Sequence, residues 1–242
     1  MIELQNVRMA YGDKLVLDSL SLSFPERGMF AVLGPSGRGK TTLLRLIAGL
    51  ETPQAGSVHV PRDLRIAFCF QEDRLLPFKT VLENVLLAAS FSFQPKVSKG
   101  TEVERVLWTQ TARRSVGNRK ERLRDYANSP GRSESPLAGC WGRAPSPEQI
   151  GAAKYWIEKV GLSGEENAYP ASLSGGMKRR AALARALTFD APVLLLDEPF
   201  RALDDATHAR MLSLVREAAK DRLLILVTHD EEDACGMQVV RL

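Results

Sequence analysis

Gly34-Pro35-Ser36-Gly37-Arg38-Gly39-Lys40-Thr41 constrains the fold of this chain more than any other segment. It fits the pattern G-x-x-x-x-G-K-[ST]. A continuous apolar run, Met29-Phe30-Ala31-Val32-Leu33, leads into it. Thr41 to Leu50 follows, with Leu43, Ile47 and Leu50 on one helical face and Gly49 and Pro53 marking the end. Buried strand, glycine loop and helix, in that order, form a unit for holding phosphate. The glycines let the backbone turn until successive N–H groups aim at one anion, and the helix adds its positive end. Lys40 supplies a compact charge for the terminal phosphates, and Thr41 a hydroxyl for Mg²⁺. The expected nucleotide-binding set is Gly34, Pro35, Ser36, Gly37, Arg38, Gly39, Lys40, Thr41 and Thr42.

Three further apolar runs end at polar residues: Ile66 to Phe70 at Gln71, Val193 to Leu196 at Asp197, and Leu223 to Thr228 at His229. Runs without alternation are expected in strands covered on both faces. Ligands of such sheets bind beyond the carboxyl ends of the strands, so the four polar ends are expected to meet in one crevice. Asp197 is the expected Mg²⁺ ligand and Glu198 the expected general base that polarises an attacking water. The N-terminal part reads differently. Ile2 to Val7, Leu17 to Phe24 and Ser57 to Val60 are short strands separated by turns such as Tyr11-Gly12-Asp13, expected to form a small antiparallel sheet.

The middle of the chain reads as helical. Thr80 and Glu83 have capping-box spacing for a helix running towards Ala89. Ser146-Pro147-Glu148-Gln149 opens another, with Ile150, Ala153, Ile157 and Val160 on one face and Gly161 after it. Between them lies an unusual tract. Residues 95–147 hold 11 Lys/Arg against 5 Asp/Glu, so the net charge of +4 arises there while the remainder is slightly acidic. Thr101 to Ser115 has helix-capping spacing but a weak apolar face, and 128–147 read as disordered or loosely packed. No run approaches the roughly 20 apolar residues needed to cross a bilayer. No secretory signal is expected at Met1-Ile2-Glu3-Leu4. Cys69, Cys140 and Cys235 are too few and too widely spaced for a disulfide framework and suit a reducing compartment.

Leu173-Ser174-Gly175-Gly176-Met177 opens a helix running to Leu187; taken alone it reads as a plain serine N-cap, and beside the other motifs as a second anion site, because its small residues leave N–H groups free. Together with Gln71, Val193 to Pro199, Ala202-Leu203-Asp204 and His229, in this order and spacing, the chain resembles the nucleotide-binding subunit of an ATP-binding cassette (ABC) transporter. Arg74-Leu75-Leu76-Pro77-Phe78-Lys79-Thr80-Val81-Leu82-Glu83-Asn84-Val85 further resembles the ATPases of importers for nitrate, sulfonates and related solutes. The resemblance implies an α/β fold: a P-loop NTPase core with a mainly parallel sheet, an N-terminal antiparallel β subdomain and an inserted helical subdomain. It divides one ABC ATPase domain, 1–242, into a catalytic core (1–71 and 190–242) and a helical subdomain (72–189).

The resemblance also implies roles. Gln71 would sense Mg²⁺ and the attacking water, His229 would contact the γ-phosphate, and Tyr11 would stack on adenine. Asp204 would lie at a dimer seam. Ser174, Gly175 and Gly176 would bind ATP held by a second copy, so that two chains clamp two ATP molecules and drive separate membrane permease subunits, fed by an extracytoplasmic solute-binding protein. The expected location is the cytoplasmic face of the membrane, peripherally bound. Two departures stand out. Met177 replaces the usual glutamine of the signature and offers only a weak sulfur acceptor, and the basic tract is an insertion. That tract supports an alternative, an ABC-type ATPase acting on nucleic acid or ribosomes, although Trp108, Tyr126 and Trp141 are too sparse for a stacking platform. The chain runs only from His229 to Leu242 beyond the last motif, and no regulatory domain is expected.

Overall fold

Alternating burial at the N-terminus produces a three-stranded antiparallel sheet. β1 (Ile2–Tyr11) lies between β2 (Lys14–Phe24) and β4 (Ala55–His59). Ile2 and Leu4 are buried, then the phase shifts and Val7 and Met9 are buried. The shift coincides with an irregularity in the pairing between Leu4 and Val7, where Asn6 is left-handed at φ 49°. The strand runs on past Val7, where the sequence reading ended it, to Tyr11. The computed structural model describes residues 1–92 and 145–242. The expected helix over Thr101 to Ser115, and all but the last three residues of the loose tract over 128–147, lie outside them. Within that tract Ser146 and Pro147 are the capped start of a helix.

The second sheet holds β3 (Gly28–Leu33), β5 (Ile66–Cys69), β6 (Val193–Asp197), β7 (Leu223–Val227) and β8 (Gln238–Arg241) in the order β5-β6-β7-β3-β8. Each pairing is parallel. β6 and β7 are buried at every position, as expected for strands covered on both faces. β8 has only two apolar residues between polar ones and was not legible as a strand; at a sheet edge it needs no apolar run.

Five helices are seen among the described residues: α1 (Lys40–Ile47), α2 (Val81–Ser92), α3 (Pro147–Lys159), α4 (Gly175–Thr188) and α5 (Asp205–Ala218). Alternate residues of the central strands feed two cores. Leu194, Leu196, Leu224 and Leu226 join Val85, Ile157, Leu183 and Met211 from α2, α3, α4 and α5. Val193, Leu195, Leu223 and Ile225 face the other way, onto Leu43 and Ile47 of α1 and Leu4 and Phe24 of the antiparallel sheet. The expected capping box at Thr80 forms, and a second forms at Ser146, which was expected only to open a helix. Thr80 Oγ1 accepts from the Glu83 N–H while Glu83 accepts from the Thr80 N–H, and Ser146 and Gln149 do the same. Each such cap contributes about 1 kcal/mol.

Candidate functional site

Parallel pairing carries the polar strand ends to one edge. In register, Cys69 lies opposite Leu196, Leu196 opposite Leu226, and Val32 opposite Val227. One or two residues further on, β5 delivers Gln71, β6 delivers Glu198, β7 delivers His229 and β3 delivers the glycine loop. They meet in a cleft of about 290 Å³ lined by Tyr11, Lys14, Val16, Ser36, Gly37, Gly39, Lys40, Thr41, Thr42, Gln71, Glu198 and His229.

The loop is built from backbone. Gly39 stands at φ 92° as the residue capping α1. A Cβ there would lie 2.6 Å from Leu17 Cδ2 and 2.8 Å from Val16 Cγ1, so a side chain is excluded by space as well as by conformation. Lys40 Nζ donates to the carbonyls of Gly34 (2.7 Å) and Pro35 (3.1 Å). Burial lowers the Lys40 pKa, and the nearby carboxylates of Glu198 and Asp197 oppose that shift.

The carboxylates differ sharply. Asp197 is buried, and burial is the main cause that raises its pKa; a hydrogen bond from Thr41 acts the other way. Its Oδ1 is buried without a hydrogen-bond partner. A buried carboxylate oxygen left unpaired beside a threonine hydroxyl is a hard-oxygen pair suited to Mg²⁺. Glu198 instead reaches the cleft. Its Oε1 is held by His229 Nε2, and its Oε2 accepts from Gln71 Nε2 at 3.1 Å and lies 3.5 Å from Arg201. Its backbone is left-handed at φ 47°, a conformation that costs a residue with a side chain about 1–3 kcal/mol and that clusters at functional sites. Glu198 N–H donates to the Val227 carbonyl at 2.9 Å, which ties the turn to β7. This arrangement can accept a proton beside a phosphate loop while neighbouring donors fix the carboxylate.

Tyr11 sits at the cleft mouth. Its hydroxyl donates to Glu51 and pairs with Thr42 Oγ1 at 3.3 Å, and its ring is 45% exposed. Burial and the Glu51 contact raise its pKa. Ser174, Gly175, Gly176 and Asp204 do not line this cleft. Ser174 is exposed and caps α4 by accepting from the Met177 N–H at 3.2 Å. Met177 is partly buried against the helical core, so its thioether fills space there. Asp204 caps α5 through the Thr207 N–H, whose hydrogen bond lowers its pKa.

Sequence reasoning missed Lys14 and Val16, which enter through the β1–β2 hairpin, and Arg179. Its phase gave the signal: Arg179 precedes Leu183 and Leu187 by one and two turns, on the buried face of α4.

A family model for the ABC transporter matches residues 17–201. The chain is 38% identical to an aliphatic sulfonates import ATP-binding protein of Rhodococcus jostii (strain RHA1), over 96% of this chain and 67% of that protein. The chain belongs to the ABC transporter family. The ABC protein is also 39% identical to an aliphatic sulfonates import ATP-binding protein of Nocardia farcinica (strain IFM 10152), over 96% of its own length and 73% of the relative's. Among solved structures it matches a dimeric post-hydrolysis ATP-binding cassette bound to ADP and Pi, with a TM-score of 0.73 and 25% identity over 100% of this chain and 94% of that one. As an ABC ATPase it binds and hydrolyses ATP. Among the described residues, no helix is long and apolar enough to cross a membrane.

Proposed function

We propose that the chain powers import of aliphatic sulfonates or chemically similar small organic solutes, as a homodimer bound to membrane permease subunits at the cytoplasmic face. An extracytoplasmic solute-binding protein would deliver the solute. Residues 1–71 and 190–242 would form the catalytic core, and 72–189 the helical subdomain. The import names of the relatives support transport over an action on nucleic acid. The basic tract that would carry that alternative lies almost wholly outside the described residues.

The glycine loop and Lys40 bind the phosphates of ATP and Tyr11 takes the base; Thr41, Asp197 and Gln71 would hold Mg²⁺, which would supply charge neutralisation at the phosphates. Glu198 accepts the proton of the attacking water, and Gln71 and His229 orient its carboxylate. Ser174, Gly175 and Gly176 point outward to the nucleotide of the second copy, with Asp204 at the seam. The observation that carries this reading is the Glu198 carboxylate, held between Gln71 and His229 at the edge where the phosphate loop ends.

Glu198→Gln tests it. The amide cannot take the proton, so hydrolysis should slow by at least the roughly 10²–10⁴-fold typical of a lost general base. ATP should still bind, and a nucleotide-bound dimer should accumulate, visible by light scattering. Unchanged turnover would remove Glu198 from the chemistry. A monomer at saturating ATP and magnesium would remove the paired-site reading.

A further inference from the structure

Arg179 is only 4% exposed, yet it lies one turn along α4 from Ser174. Its guanidinium spends its donors almost entirely on backbone carbonyls, and these belong to two separate catalytic segments. Nη1 donates to Phe70 O at 2.6 Å and Gln71 O at 3.1 Å, with Asp73 Oδ1 at 3.3 Å. Nη2 donates to Asp197 O at 2.7 Å and to Glu198 O. Nε donates to Pro199 O at 3.1 Å. The carbonyls on either side of the left-handed Glu198 are thus held by the same planar fork as that of Gln71.

A buried cation is tolerated only when its donors are satisfied, and a rigid guanidinium meets several fixed acceptors where a flexible ammonium meets few. Because the fork is planar and the carbonyls come from different strands, the contact fixes the two segments relative to each other and to α4. We propose that Arg179 is a positioning residue that couples the signature helix to the chain's own hydrolytic turn. Seating of a partner's triphosphate on the Ser174 end of α4 then sets the placement of Glu198 and Gln71 one turn away. This inference rests on the paired-site reading above. Arg185, two turns along α4, extends the same tie by donating to the carbonyls of Asp73 and Arg74, both at 2.7 Å.

Arg179→Gln keeps a polar group but loses the fork. Misplacement of about 1 Å can cost 10²-fold in rate, so kcat should fall about 10–10²-fold. Affinity for a non-hydrolysable ATP analogue should change little, because the phosphate loop is untouched, whereas the melting temperature should fall, because buried carbonyls lose their donor. Cooperativity of hydrolysis with respect to ATP should fall towards a Hill coefficient of one. Unchanged kcat would overturn the inference. So would a fall in kcat with cooperativity retained, or a loss of kcat and nucleotide affinity in proportion. If Arg179→Gln does not fold, Arg179→Lys decides on the same readouts, since an ammonium can serve one set of carbonyls but not both. A wild-type Hill coefficient of one would sink the paired-site reading and this inference with it. A cooperative wild type with an equally cooperative variant would sink the inference alone.

Discussion

The phosphate loop and the start of α4, the two proposed anion sites, both lie at helix starts, but they are built in opposite ways. The loop acts through its own backbone. Its glycines turn the chain, Lys40 bonds to carbonyls five and six residues earlier, and these bonds stay within one contiguous stretch. The start of α4 is equally local, with Ser174 capping Met177, but its link to the chemistry is not. That link runs through Arg179 to residues more than a hundred positions upstream and to a turn at the end of a different strand. Local geometry makes a binding site, whereas long-range side chains make it answer to events elsewhere.

Substitutions can separate the two designs. The largest effect is expected from Gly39→Val. Left-handed backbone and contacts under 3 Å with Leu17 and Val16 should together cost about 2–5 kcal/mol. Denaturant unfolding would measure the loss, and ATP binding should disappear. Lys40→Ala removes charge-assisted bonds worth roughly 1.5–3 kcal/mol, so affinity for ATP should fall about 10–10²-fold by equilibrium titration, with the fold retained. Unaltered binding would mean the loop is not the site.

Asp197→Asn should separate stability from activity. The wild-type carboxylate is penalised by burial, which raises its pKa in the folded chain. The stability linked to its protonation is fully present below the ordinary carboxylate pKa and is lost as pH rises through the higher folded value. At neutral pH the asparagine variant should therefore unfold at an equal or higher temperature than wild type without nucleotide. The difference should shrink in acid, while magnesium-dependent hydrolysis is lost. A variant less stable than wild type at neutral pH would show that burial is not the dominant influence on this carboxylate. The smallest effect belongs to Ser174→Ala, where loss of the cap should cost about 1 kcal/mol and leave nucleotide affinity of the single chain unchanged. A large fall in that affinity would place the signature in its own chain's cleft.

What was legible follows the same division. The runs ending at Gln71, Asp197 and His229 were readable because buried parallel strands need continuous apolar sequence, and parallel register forces their ends together. Caps at Thr80 and Ser146 were readable because a cap and its partner lie three residues apart. α5 and β8 escaped. Of α5 only Met211 and Val215 are fully buried, with Leu212, Leu214 and Ala218 partly covered, and β8 borrows its hydrogen bonds from β3 at a sheet edge. Arg179 escaped because its acceptors are carbonyls, which sequence composition does not record. The left-handed turn at Glu198 escaped too, since nothing about a glutamate announces it.

The strand that carries the glycine loop, β3, lies between β7 and β8, pairing Gly28 with Leu223 and Phe30 with Gln238. A nascent chain therefore exposes its glycine loop long before the two strands that flank β3 emerge. During synthesis the sheet that seats the loop cannot close until β7 and β8 have left the ribosome, so hydrolysis waits on strands made far downstream of the loop.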